Sequence, residues 1–172
     1  SNFRVIDANY EFNYSKINNQ AVKEAKGEYI VLLNNDTEII TPHWLQIMVG
    51  YAMQPHIGAV GTKLLYPDNT VQHAGIILGI GGIAQHCFID NPRDDVGFYG
   101  RLSVPFNYSA VTAACLMVSK EKYLEVNGLE EDLQVAFNDV DFNLKLLKQG
   151  YYNICLNHVE LYHHESKSRG DD

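Results

Sequence analysis

Three short polar clusters in this sequence carry side chains that could bind a metal ion or move a proton. Asn34-Asn35-Asp36-Thr37 follows one apolar run, Asp139 and Asp141 open a helical stretch, and His163-His164 follows another apolar run. Carboxylates suit hard divalent cations, imidazole suits transition metals, and both groups serve as general bases. The clusters therefore suggest a metal shared with a phosphate-bearing ligand, with an acid–base residue nearby.

The first cluster ends the apolar run 29–33. Such a run fits a central parallel strand buried on both faces, and open α/β sheets bind ligands beyond the carboxyl ends of these strands. Asp36 would then direct a carboxylate into the crevice, where a hard cation such as Mg²⁺ or Mn²⁺ binds. The alternative is a simple turn, because Asn, Asp and Thr all favour turns and caps.

The second cluster lies in the first turn of a predicted helix, where the helix dipole stabilises carboxylates. Residues at i and i+2 do not face each other on a helix, so we expect one of Asp139 and Asp141 to be functional and the other structural. If Asp139 lines the same crevice as Asp36, it is a candidate general base. The alternative is an ordinary acidic helix start.

The histidine pair ends the predicted strand 151–162. Adjacent residues on a strand point to opposite faces, so at most one of His163 and His164 is expected to reach the crevice. One His and one Asp are too few ligands for a structural zinc site. Substrate oxygens or water would have to complete the coordination shell.

Composition narrows the class of protein. The chain has 172 residues, 46% hydrophobic and 20% charged, which suits a single globular domain over residues 1–172. Its formal net charge of −8 argues against nucleic-acid binding. Three cysteines without Cys-x-x-Cys spacing indicate free thiols in a reducing compartment, hence a cytoplasmic location, and no apolar run is long enough to span a membrane.

The elements that must position these clusters alternate between strand and helix. The first predicted strand, helix and second strand form a β-α-β unit with parallel strands. Thr41 and Pro42 predict a helix entry, and 67–70 predicts a hairpin turn. The segment 79–108 has little periodicity and is predicted to be a functional loop. The predicted strands are 3–8, 28–33, 57–66, 71–78, 111–119 and 151–162, and the predicted helices are 13–26, 41–55, 120–126 and 139–149.

Taken together, several segments resemble the inverting glycosyltransferases of family 2, which have the GT-A fold. The likeness runs in the same order over nearly the whole chain, and the joint match is more specific than any one motif. It implies an α/β three-layer sandwich, Rossmann-like, with a mixed and mostly parallel sheet. The matching segments are 13–21, 27–37, 58–75, 113–118, 137–144 and 161–170.

The resemblance also implies roles for individual residues. The family's Asp-x-Asp motif corresponds to Asn34-Asn35-Asp36, with Asp36 as metal ligand and the three residues at the nucleotide-sugar site. Asn34 lacks the charge of the family's first Asp, which would reduce metal affinity. Asp139 matches the catalytic base, although Asn138 replaces the family's Glu. His163 or His164 matches a terminal metal ligand, with His164 preferred.

Family members begin with β-α-β elements that hold the nucleotide, and these should precede Phe3. We therefore expect the chain to correspond to the C-terminal part of a GT-A domain, with possible self-association through the truncated face. The implied partners are a nucleotide-diphosphate sugar, a divalent metal (Mn²⁺ or Mg²⁺) and a glycan or lipid-linked acceptor in cell-surface polysaccharide synthesis. Lys167 and Arg169 could add positive charge near the phosphates, but a solvated tail is the favoured interpretation of both.

Two other hypotheses stay open at this point. The chain could be a non-catalytic module that self-associates or docks on a partner. It could also be a metal-dependent phosphoesterase or nucleotidyltransferase, although such sites gather more carboxylates than are visible here.

Overall fold

The computed structural model describes residues 4–79 and 82–164. Helices and strands alternate irregularly along this part of the chain, and a short 3-10 helix (Phe98–Gly100) lies in the long connection after residue 86. The helices are α1 (Tyr14–Glu24), α2 (Trp44–Ala52), α3 (Lys120–Glu125) and α4 (Asn138–Lys148). The strands are β1 (Tyr29–Leu33), β2 (Thr37–Ile39), β3 (Ile57–Leu65), β4 (Val71–His73), β5 (Ile76–Leu78), β6 (Ala84–His86), β7 (Pro105–Tyr108), β8 (Cys115–Ser119) and β9 (Tyr152–His163).

Within the described residues, a mixed sheet has the strand order β1-β8-β3-β9-β2, with β4 added beside β3 and β7 beside β9. A separate hairpin consists of β5 and β6. β3 and β9 are parallel, and β8 is antiparallel to both β1 and β3. β1, β3 and β9 therefore run in the same direction and end at the same edge of the sheet.

Helices cover both faces of this sheet. Strand β8 shows the alternation directly, because Leu116 and Val118 join one apolar cluster and Cys115 and Met117 join the other. The first cluster includes Val22, Tyr123 and Phe142 from α1, α3 and α4. The second includes Trp44 and Met48 from α2. The α/β three-layer arrangement predicted from the sequence is confirmed.

The starts of α1 and α2 are stabilised in different ways. Asn13 caps α1, since its side-chain oxygen accepts a hydrogen bond from the Lys16 amide at 2.9 Å. The predicted cap at Thr41 is wrong, because the cap position of α2 is His43 in a left-handed conformation. The Thr41 hydroxyl instead accepts the Glu160 amide at 2.8 Å. A tertiary contact to β9 has replaced a local cap.

The predicted strand 3–8 and the β-α-β unit built on it are wrong. Phe3 lies outside the described residues, and 4–8 form no regular structure. Val5 is 72% exposed, so this apolar stretch gains no buried surface from pairing. A period-2 pattern favours a strand only where a partner strand is available.

The reading of 29–33 as a central parallel strand is also wrong. β1 pairs antiparallel with β8, from Tyr29 opposite Ser119 to Leu33 opposite Cys115, and lies at one end of the described strand order. Its burial alternates, with Ile30 and Leu32 buried. Among the described strand pairs of the large sheet only β3–β9 is parallel, so the expectation of mostly parallel pairing does not hold there.

The predicted hairpin at 67–70 is confirmed by the antiparallel pairing of β3 and β4. The predicted strand 71–78 divides at Gly75, whose φ is +105° and whose Cβ, if present, would lie 2.3 Å from the Tyr108 ring. Only glycine fits this close approach. The segment 79–108 is less irregular than predicted, because it contains β6 and β7. None of the helices in the described ranges is long and apolar enough to cross a membrane.

Candidate functional site

The first and third polar clusters meet at the sheet edge. β2 follows Asp36 directly and pairs antiparallel with the end of β9, so that Thr37 lies opposite His163. This register sets Oδ1 of Asp36 3.2 Å from Nε2 of His163. Oδ1 is buried and accepts no hydrogen bond from the described part of the chain. A buried, under-satisfied carboxylate oxygen beside an imidazole nitrogen is an arrangement suited to a cation.

A second contact fixes the orientation of the imidazole. Nδ1 of His163 lies 2.7 Å from Oε1 of Gln72, in buried surroundings on β4. With that oxygen as acceptor, Nδ1 carries the ring proton and Nε2 presents its lone pair towards Asp36 and the Asn34 amide, 3.2 Å away. A histidine held through its second nitrogen in this way is typical of metal ligands.

The pair fits two adjacent positions around one divalent cation. Ligands at right angles with bonds of about 2.1 Å lie about 3 Å apart, close to the observed 3.2 Å separation of Oδ1 and Nε2. In residues 4–79 and 82–164 no group of three or more His, Cys, Asp or Glu side chains is arranged to hold a metal. The remaining positions would have to come from a ligand or from water.

His164 and His163 take opposite sides of β9, as strand alternation requires. Nε2 of His164 lies 3.3 Å from Oε2 of the exposed Glu38. The main-chain amide of His164 donates to the Asp36 carbonyl at 2.9 Å, but its ring does not contact the Asp36 carboxylate. This geometry favours His163, and not the preferred His164, as the partner of Asp36.

The two asparagines of the first cluster lie on the turn between β1 and β2. The Asn34 amide nitrogen contacts His163, and its backbone amide donates to the Ala114 carbonyl at 3.0 Å, extending the β1–β8 ladder by one residue. Asn35 is exposed. Asn34 therefore supports the Asp36–His163 pair, whereas Asn35 is free to contact a ligand.

Asp139 is held at the start of α4 by two backbone amides. Its Oδ2 accepts the Ala113 amide at 3.2 Å and its Oδ1 accepts the Val140 amide at 2.8 Å. The side chain is half-buried. Asp141, by contrast, pairs with Lys145 at 2.8 Å, and both side chains are half-buried. The two carboxylates therefore have different surroundings, as the i, i+2 spacing predicted.

The backbone 112–114 links Asp139 to the metal-site candidates. Ala113 binds Asp139, and the next residue, Ala114, binds Asn34. The Tyr14 hydroxyl donates to the Ala113 carbonyl at 3.1 Å. Burial, and then the negative charge of Asp139, raise the pKa of Tyr14, so its phenol stays protonated as a donor. Asp139 and Asp36 thus belong to one edge of the sheet.

Sequence reasoning missed the supporting residues. Gln72 gave no signal, because its role depends on a contact with the other end of the chain. His73 and His86 are 13 residues apart in the chain, yet their Nδ1 atoms lie 3.2 Å apart. Gln72 and His73 follow the predicted hairpin turn, and this position was the only feature of the sequence that could have indicated their supporting role. Lys167 and Arg169 lie outside the described residues.

Solved structures place this fold in a class. The chain is similar to GalNAc-T7, solved with UDP, GalNAc and Mn²⁺, with a TM-score of 0.71 and 11% identity over 91% of this chain and 31% of that one. It is also similar to the mannosyltransferase PcManGT of Pyrobaculum calidifontis, solved with GDP-Man and Mn²⁺, with a TM-score of 0.64 and 18% identity over 96% of this chain and 40% of that one. The fold is that of the GT-A glycosyltransferases.

The family follows from sequence comparison. The model of glycosyl transferase family 2 matches residues 1–121, and the chain belongs to this family. It is 48% identical to the uncharacterized protein y4gI of Sinorhizobium fredii and 42% identical to the O-antigen biosynthesis protein RfbC of Myxococcus xanthus, each over 170 residues. Those alignments cover 98% and 95% of this chain but only 19% and 13% of the relatives.

Proposed function

We propose that this chain carries the metal- and acceptor-binding part of an inverting glycosyltransferase, which moves a sugar from a nucleotide-diphosphate donor to an acceptor hydroxyl. The observation that supports this proposal best is the 3.2 Å contact between Asp36 and a His163 ring held by Gln72. Such a pair supplies two ligands of a cation site, and oxygen atoms of a bound molecule would have to supply the others.

Asp36 and His163 would hold a divalent metal, Mn²⁺ or Mg²⁺, against the diphosphate. When bound, the metal supplies positive charge that stabilises the departing nucleoside diphosphate. Gln72 keeps the His163 ring in place through Nδ1, whereas the Asn34 amide, which contacts Nε2 in this structure, would give up that contact to the metal. The exposed Asn35 is available to a ribose or phosphate oxygen. Two relatives in fold were solved with Mn²⁺ and a nucleotide or nucleotide sugar, which supports a metal here.

Asp139 would act as the general base. Its two oxygens accept backbone amides from Ala113 and Val140, which fixes the carboxylate without neutralising it. A fixed carboxylate can take the proton of an acceptor hydroxyl as that oxygen attacks the anomeric carbon. Attack from the side opposite the leaving diphosphate inverts the configuration. Cell-surface polysaccharide synthesis is the proposed setting, supported by the O-antigen biosynthesis relative.

Calorimetric titration of UDP, GDP and dTDP, each with and without Mn²⁺, tests the donor site. We expect one nucleotide to bind only with Mn²⁺ and Asp36→Ala to abolish that binding. Glu38→Ala is the matched control, because Glu38 is an exposed carboxylate two residues after Asp36, on β2, and contacts His164 instead. Binding that ignores Mn²⁺ or survives Asp36→Ala would contradict the proposal. Absence of all binding would favour a non-catalytic module.

A further inference from the structure

A cavity of about 230 Å³ lies beside the β5–β6 hairpin, separate from the Asp36–His163 pair. Its walls are mostly apolar, with three polar side chains among them. The lining residues are Ile77, Gln85, His86, Cys87, Phe88 and Arg101. Apolar walls with a few convergent polar groups are typical of small-molecule sites.

Arg101 brings a positive charge to this cavity that no carboxylate in the described ranges neutralises. Its guanidinium stacks on the Phe106 ring, 4.3 Å from the ring centroid. Burial raises the pKa of Cys87 to about 11 and that of Tyr108 to about 12, so both nearby groups are neutral. Arg93, by comparison, is paired with Glu160 at 2.8 Å.

His86 adds a hydrogen-bond donor to the same cavity. The fully buried His73 accepts backbone amides from Gly75 and Thr112 at its Nε2, so its Nδ1 carries the proton and donates to Nδ1 of His86. In the neutral His86 ring the remaining proton is then on Nε2. The polar groups lining the cavity are thus a cation, an N–H donor and the amide of Gln85.

The β5–β6 hairpin lies between this cavity and the start of α4. Ile76 packs with Val140, the residue after Asp139, and the adjacent Ile77, on the other face of the strand, lines the cavity. Phe98 and Tyr99, three and two residues before Arg101 in the chain, stack edge to face and are 67% and 89% exposed. Aromatic faces suit the apolar side of a ring-shaped ligand.

We propose that this cavity binds an acidic group, a carboxylate or a phosphate, carried on a sugar ring of the acceptor. The assignment to the acceptor rests on the proposed glycosyl transfer, since the donor diphosphate belongs to the Asp36 side. An unpaired arginine with an adjacent N–H donor recognises planar and tetrahedral oxyanions alike. The net charge of −8 makes an anion-binding pocket a specific feature and not a general property of the surface.

An NMR titration without nucleotide or metal tests this proposal independently of the donor site. The probes are glucuronic acid, glucose 1-phosphate and the neutral methyl glucoside, with binding followed through the amide and Arg101 side-chain signals. We expect at least one acidic sugar to bind about tenfold or more tightly than methyl glucoside. The acid that binds distinguishes a carboxylate from a phosphate. Equal binding of the neutral sugar, or no binding by either acid, would overturn the proposal.

Substitutions then test whether the charge of Arg101 binds the acidic group. Arg101→Gln should remove the preference for the acid, Arg101→Lys should keep part of it, and Lys148→Gln, at an exposed cation on α4, should leave it unchanged. Retained preference in a folded Arg101→Gln chain would overturn the proposal. If that variant does not fold, the NMR titration of the unmodified chain still tests the proposal. Signal changes confined to residues 85–88 and 101 would support binding in this cavity, and signal changes elsewhere would exclude it.

Discussion

Oδ1 of Asp36 lies 3.2 Å from Nε2 of His163, at the edge where β1, β3 and β9 end. The contact joins residues from opposite ends of the chain through the β2–β9 ladder. Because Gln72 holds the other ring nitrogen, the two atoms face each other as an acceptor oxygen and a lone pair. A cation between them would turn an unfavourable contact into a stabilising one.

Replacing the two histidines separately should identify the metal ligand. His163→Ala is expected to weaken Mn²⁺-dependent nucleotide binding by about tenfold or more, since loss even of supporting contacts costs about 10–100-fold in metal affinity. His164→Ala removes only a surface contact with Glu38 and should change the affinity less than about threefold. Calorimetry measures both, and a larger effect at His164 would reverse the assignment.

Gln72→Met should also lower Mn²⁺ affinity, by about 10–100-fold, because His163 would lose the acceptor that fixes its tautomer. Gln72→Glu keeps an acceptor oxygen at this position and should retain most of the affinity. The measurement is a Mn²⁺ titration by electron paramagnetic resonance in the presence of the nucleotide that binds. Equal loss in both variants would indicate a packing effect and not a hydrogen bond.

Asp139→Asn should separate catalysis from binding. We expect the rate of nucleotide release from the matching nucleotide sugar, with acceptor present, to fall by about 10²–10⁴-fold while nucleotide affinity stays constant. Asp141→Asn is the matched control and should cost only the half-buried i, i+4 pair with Lys145, about 0.3–0.5 kcal/mol of stability. An unchanged rate in Asp139→Asn would assign the base elsewhere.

Glu160 should contribute to stability through buried Lys63, whose Nζ lies 2.7 Å from Oε1, and through Arg93. Glu160→Gln leaves the Lys63 charge buried without its partner and should lower the free energy of unfolding by about 3–5 kcal/mol at neutral pH. The double replacement Lys63→Met with Glu160→Leu should cost less than the single change. Urea denaturation measures both, and a cost under about 1 kcal/mol for Glu160→Gln would contradict this account.

The same ion pair predicts a pH dependence. Burial tends to raise the pKa of Glu160, but hydrogen bonds from Lys63 and Arg93, together with their charges, lower it below its ordinary value. A lowered pKa in the folded state means that this contribution is complete above the unfolded pKa of about 4.3 and is lost as the pH falls below it. Glu160→Gln should therefore show a shallower loss of stability below about pH 4. If the stability of the variant falls with pH as steeply as that of the unmodified chain, Glu160 is not the source of this pH dependence.

The local elements followed from sequence wherever the apolar spacing was dense. The helix predicted over 139–149 is α4 (Asn138–Lys148), and the strand predicted over 151–162 is β9 (Tyr152–His163). In both, side-chain burial and local propensity favour the same structure. The prediction of a strand over 3–8 was wrong because no other strand in the described part of the chain pairs with this segment. The sequence of one segment does not show whether a partner strand is available.

The α/β fold class, the family resemblance and the three polar clusters could be predicted from the sequence, because they depend on residue types and short spacings. Three contacts could be found only in the folded chain: Asp36 contacts His163 and not His164, Gln72 orients the His163 ring, and the backbone 112–114 binds both Asp139 and Asn34. Strand pairing sets these relations, and a shift of one residue in the β2–β9 register would exchange the faces of the two histidines.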